Sequence, residues 1–316
     1  MANHTLPLTL FFSLNLTIFN ETETASHAGE LVTAYSIITT CGFVGTLASG
    51  LLLTVVIRLI TTRNSGSQIL VANLVLTYLL TSIFMASQVL QLMGRAVRTT
   101  IPVCRGILLS NYAVYAAGMW TDVCLGVNRV VAIFYPHHYT RVAQNKLNYI
   151  LAAMCWVISI CLIVPMAFDD GANVRLSKFT GQCEMDVQGI TAFALFCLFT
   201  VFPYSLVSTA SAAVIVKSIK IFRRRKARVG DPTVTQEFRV FRRRLHVARM
   251  LFTSFSLSSI CQLPSFLAYM FFKQWILNMP TMGTWFNLLL ALEFVGNPVS
   301  TIVKVFEYCT YDFKIT

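Results

Sequence analysis

The chain has 316 residues, of which 56% are hydrophobic and only 12% are charged, and its mean hydropathy is +0.66. Soluble domains carry about 25% charged residues, so this composition excludes an ordinary soluble protein. A net charge of +12 would suggest nucleic-acid binding in a soluble chain. Here the basic residues are concentrated in loops between apolar runs, which points to a membrane protein that does not bind nucleic acid.

Seven apolar runs are each long enough to cross a bilayer as a helix, which takes roughly 20 residues. They are too long for strands, so they predict helices rather than a barrel. The approximate runs are 31–60, 68–93, 104–134, 147–168, 188–221, 246–272 and 282–306. The sequence therefore predicts an all-α membrane protein whose seven-transmembrane helix bundle occupies residues 31–306. It shows no internal repeat, which weakens transporter folds built from duplicated halves.

The charge pattern orients this bundle. A dense basic segment between the fifth and sixth runs extends from Lys217 to Arg244, and positively charged loops stay in the cytoplasm. The N-terminus of residues 1–30 is then outside, and the basic segment is expected to contact anionic membrane lipids. Glycosylation sequons at Asn3, Asn15 and Asn20 agree with an extracellular N-terminus.

Two of the nine cysteines stand apart from those inside the runs. Cys104 lies at the outer end of the third run, and Cys183 lies in the outer loop before the fifth. Because that compartment is oxidising, a disulfide between them is expected. No cluster of residues has metal-ligand spacing, so neither a metal nor another cofactor is expected.

Several motifs follow one another along the chain, and together they resemble those of the rhodopsin-like (class A) G-protein-coupled receptors. Asn128-Arg129-Val130 is similar to the Asp-Arg-Tyr signature of that family, and Cys104 precedes Arg129 by the family's spacing of 25 residues. The other matches are Pro136 to Tyr139, Trp156, Pro203, Cys261 to Pro264, and Asn297-Pro298 to Thr301. The resemblance covers about residues 31–314. It also implies a short amphipathic helix within the cytoplasmic tail of residues 307–316.

The resemblance implies two sites. An extracellular ligand would bind between spans three, five, six and seven, and a heterotrimeric G protein would bind at the cytoplasmic face. The expected ligand-pocket residues are Asn111, Tyr115, Gln262 and Tyr269, and the expected G-protein-coupling residues are Asn128, Arg129, Val130, Pro136, Lys220 and Arg244. Asn111 stands where amine receptors carry Asp, which argues against a monoamine ligand. The other interpretation of Asn111 is a hydrogen bond between helices.

Departures from the family pattern concentrate in the polar core. Tyr78 replaces the Asp of the sodium pocket, and Gln262 replaces a Trp. Asp122 and Glu293 are acids inside the membrane, where such residues are costly. They are either protonated and hydrogen-bonded to a nearby hydroxyl, or part of a rewired cluster with Asn297 and Tyr78. That cluster would hold a proton or a cation and bias the balance between the active and inactive states.

Prolines mark the last three spans. Pro203, Pro264 and Pro298 fall inside spans five, six and seven, where the resemblance favours hinges that let the cytoplasmic half of span six swing outward. The simpler interpretation is that proline is common in membrane helices.

The leading functional prediction is a plasma-membrane receptor that transmits binding of a non-amine small molecule, an odorant or a peptide to a G protein. The alternatives are an odorant-type chemosensory receptor and a signalling-impaired decoy receptor. A retinal-binding protein is disfavoured because Ala291 occupies the middle of span seven where a lysine is needed. An enzyme or a transporter is disfavoured because the sequence offers no nucleophile–base pair and no ion pathway.

Overall fold

The structure is a computed structural model, and it describes residues 24–63, 66–93, 101–168, 172–176, 183–187, 194–195, 197–226, 252–253, 255–265, 267–268, 272 and 280–313. Most of these residues are helical. In chain order the elements are α1 (Thr24–Arg63), α2 (Gly66–Met93), α3 (Ile101–Phe134), α4 (Pro136–Val142), α5 (Asn145–Ala167), β1 (Ala172–Leu176), β2 (Cys183–Val187), a π-helical turn (Cys197–Val201), α6 (Phe202–Lys226), α7 (255–265) and α8 (Pro280–Phe313).

Five helical segments in the described part of the chain are long and apolar enough to cross a membrane. They are Thr33–Thr62, Gly66–Ser87, Pro102–Phe134, Asn145–Ala167 and Cys197–Ile221. These coincide with the first five predicted runs, so the prediction of a helical membrane protein is confirmed.

The sixth and seventh predicted spans are not among these five segments. Much of the sixth run lies outside the described residues, and α8 covers the seventh run. Because α8 continues without a break to Phe313, no separate C-terminal helix is set off from it. Seven spans, an outward N-terminus and a distinct C-terminal helix therefore stay predictions.

Helix α3 lies at the centre of the described bundle. It packs against α2, α5 and α6, while α1 packs against α2 and α8. One apolar cluster joins three of these helices through Leu74 of α2, Leu125 of α3 and Phe294 of α8. This central position makes α3 the element that both predicted sites share.

The bundle has an apolar outside and a partly polar inside. Phe43, Leu51 and Ile260 are 64%, 65% and 69% exposed, which suits a surface in contact with lipid chains. By contrast, Thr77 and Thr121 are at most 1% exposed. Membrane helices associate through small residues and hydrogen bonds between helices rather than through hydrophobic burial. Thr121 accepts such a bond from Asn73 of α2, whereas the Thr77 hydroxyl donates to the Leu74 carbonyl of its own helix.

The two strands form an antiparallel hairpin that the sequence analysis treated only as an outer loop. Ala172 pairs with Val187 at one end, and Leu176 pairs with Cys183 at the other. Both five-residue strands alternate apolar and polar residues, which is the signal for a strand. The hairpin contacts α3 and makes the fold slightly less than all-α.

Proline explains the irregular start of α6. The π-helical turn Cys197–Val201 runs directly into this helix, and Pro203 follows it within two residues. Because Pro203 has no N–H, it cannot donate to the carbonyl of Phe199, and its ring crowds that carbonyl. A local widening of the helix accommodates both effects.

Candidate functional site

Three polar side chains from three helices form a continuous hydrogen-bonded chain inside the bundle. The hydroxyl of Tyr115 on α3 donates to Oε1 of Gln262 on α7 over 2.6 Å. Nε2 of Gln262 donates to Oε1 of Glu293 on α8 over 2.7 Å. Gln262 is 5% exposed and Glu293 is 2% exposed, so water does not compete for these bonds. We refer to this feature as the Tyr115–Gln262–Glu293 chain.

Only one oxygen of the Glu293 carboxyl group is used in the Tyr115–Gln262–Glu293 chain. Its Oε2 atom is buried and makes no hydrogen bond of ordinary geometry to the described residues, although the Ser258 hydroxyl is close to the carboxyl group. Asp122 on α3 is close enough to interact with it electrostatically. Asp122 itself hydrogen-bonds to no other residue among those described. The structure therefore places both acids in one region but joins only Glu293 to the hydrogen-bonded chain.

A second polar layer lies one helical turn away. Nδ2 of Asn297 donates to the Ser258 hydroxyl over 2.9 Å and lies 3.5 Å from the Tyr78 hydroxyl. The longer distance is at the limit of a hydrogen bond. The Tyr78 ring also packs against the ring of Phe294, with centroids 6.4 Å apart. Tyr78, which replaces an acid of the family pattern, therefore contributes a neutral hydroxyl to this layer.

Ser258 was not predicted as a site residue, although the sequence carries a signal for it. Ser258 precedes Gln262 by four residues on α7, and Glu293 precedes Asn297 by four on α8. Residues four apart share one face of a helix, so each helix presents a polar stripe. The two stripes meet, and that is why α7 and α8 pair through both layers.

Asn111 lies one helical turn from Tyr115 on α3. Its Oδ1 atom is buried and makes no hydrogen bond to the described residues. A buried acceptor without a partner is costly, so this oxygen is suited to receive a hydrogen bond from a ligand. Of the four predicted pocket residues, the structure joins Tyr115 to Gln262, leaves Asn111 with a free acceptor, and does not describe Tyr269.

A further polar contact fixes α3 relative to its neighbours. Nδ2 of Asn73 on α2 donates to the Thr121 hydroxyl on α3 over 2.7 Å. Nε1 of Trp156 on α5 donates to Oδ1 of the same asparagine over 2.9 Å. Sequence analysis recognised Trp156 only as a family match and did not predict its partners. Because Asn73 uses both ends of its amide, it sets the relative rotation of three helices.

Arg129 lies near the end of α3 opposite Cys104. The side chain of the preceding Asn128 is 2% exposed, and neither end of its amide has a hydrogen-bond partner among the described residues. Nε of Arg129 is likewise buried without a partner, while Tyr139 of α4 is close enough to interact with the guanidinium group electrostatically. Within the described ranges, no carboxylate forms an ion pair with Arg129.

The other predicted coupling residues are placed around this end of α3. Val130 is half-buried, and Pro136 is the first residue of α4. Lys220 is exposed near the end of α6. Arg244 lies outside the described residues, so the structure does not place it relative to Arg129.

Two of the three prolines predicted as hinges, Pro264 and Pro298, differ in their surroundings. Pro298 is almost completely buried inside α8, whereas Pro264 is exposed on α7. Each interrupts the backbone hydrogen bonding of its helix. The hinge role of both prolines stays a prediction.

The predicted extracellular features are described only in part. Cys104 is disulfide-bonded and 2% exposed. Cys183 is the first residue of β2, and the hairpin contacts α3, but the side chain of Cys183 lies outside the described part. The pairing therefore stays a prediction. The sequons at Asn3, Asn15 and Asn20 also lie outside it.

Comparison with known proteins identifies the family of this chain. In the part of the chain that the structure describes, no group of three or more His, Cys, Asp or Glu side chains is arranged to hold a metal ion. No curated protein matches the chain as a relative.

The family model for 7 transmembrane receptor (rhodopsin family) matches residues 48–299, well over half of the chain, and this match includes both polar layers and Arg129. Members of that family are receptors of the plasma membrane rather than enzymes. The chain therefore belongs to the rhodopsin family of seven-transmembrane receptors and is a multi-pass plasma-membrane protein.

Proposed function

We propose that this receptor couples an extracellular, non-amine ligand to a heterotrimeric G protein. The single observation that carries the proposal is the Tyr115–Gln262–Glu293 chain, because it links the predicted floor of the ligand pocket to α7 and α8. A ligand shifts the balance between conformations only when it binds them with different affinity. These hydrogen bonds join three helices. A ligand that binds more tightly when they are broken or rearranged would therefore shift the balance between the conformations.

The second polar layer extends this link toward the end of the bundle that carries Arg129. Glu293 and Asn297 lie on adjacent turns of α8, as do Ser258 and Gln262 on α7. A shift of α7 that changes the first layer therefore also changes the Asn297–Ser258 bond of 2.9 Å. In our proposal this is how the pocket and the G-protein surface communicate.

The chemistry of the pocket supports a neutral, polar ligand. Asn111 presents an amide rather than a carboxylate, and its unpartnered Oδ1 atom is a hydrogen-bond acceptor. Tyr115 and Gln262 already satisfy each other, and neither carries a charge. A ligand with a neutral hydrogen-bond donor therefore fits better than a cationic amine, for which the counter-ion is missing. We place Tyr269 in the same pocket on the family resemblance alone.

The outer face is proposed to follow the family arrangement. We assign the N-terminus to the extracellular side, with glycans on Asn3, Asn15 and Asn20. We assign the disulfide of Cys104 to a bond with Cys183, which would hold the β-hairpin against the outer end of α3. The contact between the hairpin and α3 supports this pairing.

The G-protein surface is proposed to centre on Arg129. No described carboxylate pairs with its guanidinium group, which leaves it available to a partner. Contact residues around it would be Asn128, Val130, Pro136, Lys220 and Arg244.

The test is ligand-free G-protein activation in cells that express the chain, across the main G-protein subtypes, beside Arg129→Ala. Surface expression of both forms must be matched. We expect basal activation of at least one subtype, and we expect the variant to lose it because the contact at the end of α3 is removed. Activation that persists undiminished in the variant would contradict the coupling role of Arg129.

A signalling-impaired decoy receptor is the second candidate. The observation that favours it is the set of departures in the switch region. Tyr78 and Gln262 replace family residues, and Thr301 stands where the otherwise matching Asn-Pro motif of the family ends in Tyr. Silence of every subtype at good surface expression, even with a ligand that binds, would favour the decoy. An odorant-type role is a narrower form of the leading proposal, and a ligand screen on the active subtype would decide it.

A further inference from the structure

A cavity of about 560 Å³ lies on the side of α6, and of the residues already assigned to a site only Lys220, a predicted coupling residue, is among its described lining residues. Its described lining residues belong to α6, from Thr209 to Ile221, with the exception of Phe134 at the end of α3. Most of the lining is apolar. The cavity exists because side chains such as those of Ala212 and Ala213 are small, and the Phe134 ring closes one side of it.

The cavity lies within a segment that crosses the membrane. Cys197–Ile221 is apolar enough to be a span, and the lining residues Thr209, Ala212 and Val216 are exposed. An exposed apolar face on such a segment meets lipid chains. From Thr209 to Val216, the part that precedes the two lysines, the helix rises about 10 Å at 1.5 Å per residue. One leaflet of a bilayer has about 15 Å of hydrocarbon, so this apolar part fits within the depth of a single leaflet.

Two lysines stand at one end of this groove. Nζ of Lys217 lies 5.1 Å from the centroid of the Phe134 ring, so a cation–π contact helps to hold it in place. Lys220 is exposed one helical turn further along α6. Among the described residues, none that lines the cavity is acidic. The groove thus has an apolar length followed by two positive charges, which complements a molecule with an acyl chain and a negatively charged headgroup.

We propose that this groove binds one anionic phospholipid of the adjacent leaflet. The acyl chain would lie along Ala212, Ala213 and Val216, and the headgroup phosphate would be held between Lys217 and Lys220. Long basic side chains at the end of a membrane helix extend toward the interface, where lipid phosphates are found. The inference does not depend on G-protein coupling, because it concerns the resting contact of α6 with lipid.

The experiment is a lipid titration of the purified full-length chain, read by native mass spectrometry. The probes are dioleoyl phosphatidylserine and dioleoyl phosphatidylcholine, and the readout is the dissociation constant of the first bound lipid. The first variants are Lys217→Gln and Lys220→Gln. Lys146→Gln is the matched control, since Lys146 is an exposed lysine at the start of α5 and does not line the cavity. Ala212→Leu fills the groove without a change in charge, and its exposed position keeps it compatible with folding.

We expect each cavity-lysine variant to weaken phosphatidylserine binding about fivefold, since a basic residue near an anionic surface contributes about 1 kcal/mol. We expect Lys146→Gln to leave phosphatidylserine binding unchanged and Ala212→Leu to weaken the binding of both lipids. Excess inorganic phosphate should not displace the lipid, because the groove also holds the acyl chain.

Three results would overturn the proposal. The first is unchanged phosphatidylserine affinity in both cavity-lysine variants. The second is an equal loss in the Lys146 control, which would indicate non-specific charge attraction. The third is full displacement by inorganic phosphate, which would leave the apolar groove without a role. Variants that lose G-protein activation while their lipid affinity is unchanged would assign the groove to the G protein instead.

Discussion

Gln262 is the residue whose replacement tests the polar chain most sharply. Gln262→Leu keeps a similar side-chain size but removes the bond from Tyr115 and the bond to Glu293. Hydrogen bonds between membrane helices contribute about 0.6 kcal/mol each on average. Leaving a buried carboxyl oxygen without its donor costs about 1–3 kcal/mol more. We therefore expect the free energy of unfolding to fall by about 2–4 kcal/mol.

The assay is reversible unfolding in mixed detergent micelles, arranged as a double-mutant cycle. Tyr115→Phe removes the phenol that Gln262 accepts from, and the cycle combines it with Gln262→Leu. Groups in direct contact show coupling energies of at least about 0.5 kcal/mol. Thr54→Val is the control, since the exposed Thr54 hydroxyl bonds only to the carbonyl of Leu51 in its own helix, and we expect it to change stability little.

The result that would refute this reasoning is additivity. When Tyr115→Phe and Gln262→Leu add to within about 0.3 kcal/mol, the two side chains are independent. The phenol–amide bond would then contribute nothing, and the proposed route from the pocket to α7 would lose its first step.

Three further predictions address the packing and the arginine end. Trp156→Phe removes the donor to Asn73 and should lower the free energy of unfolding by about 0.6–1.7 kcal/mol; an unchanged unfolding curve would contradict the bridge. Gly45→Ala should destabilise the bundle because its Cβ would lie 2.8 Å from the Ser82 hydroxyl, whereas Gly50→Ala, with open space around it, should be neutral or stabilising by up to about 1 kcal/mol. Equal effects of the two on thermal unfolding would argue against close helix contact there. Asn128→Asp places a carboxylate beside Arg129 and should lower basal G-protein activation, because an ion pair with the guanidinium group would stabilise the resting state. A rise in basal activation would contradict this.

The helices and the family could be read from the sequence because their signals are local. Runs of apolar residues and motifs such as Asn297-Pro298 each lie within one segment. The five candidate spans that the structure describes coincide with predicted runs. The hairpin could also have been found, since both of its strands alternate apolar and polar residues.

The connections inside the site could not be predicted in the same way. Tyr115, Gln262 and Glu293 were each expected to be functional, but their joining depends on how three helices are rotated about their axes. Periodicity shows which residues share a face and does not show which neighbour that face meets. Asp122 illustrates the difficulty. It was expected either to hydrogen-bond to a nearby hydroxyl or to join the polar cluster, and it makes no hydrogen bond to the described residues.

The central claim is that the chain activates a G protein through the end of α3. Its most direct test is guanine-nucleotide exchange on purified heterotrimers by the purified chain in lipid bilayers, measured beside Arg129→Ala at equal receptor density. The account predicts faster exchange with the unaltered chain than with empty bilayers, and a return to the empty-bilayer rate with the variant. An exchange rate that is raised equally by both forms would contradict the claim.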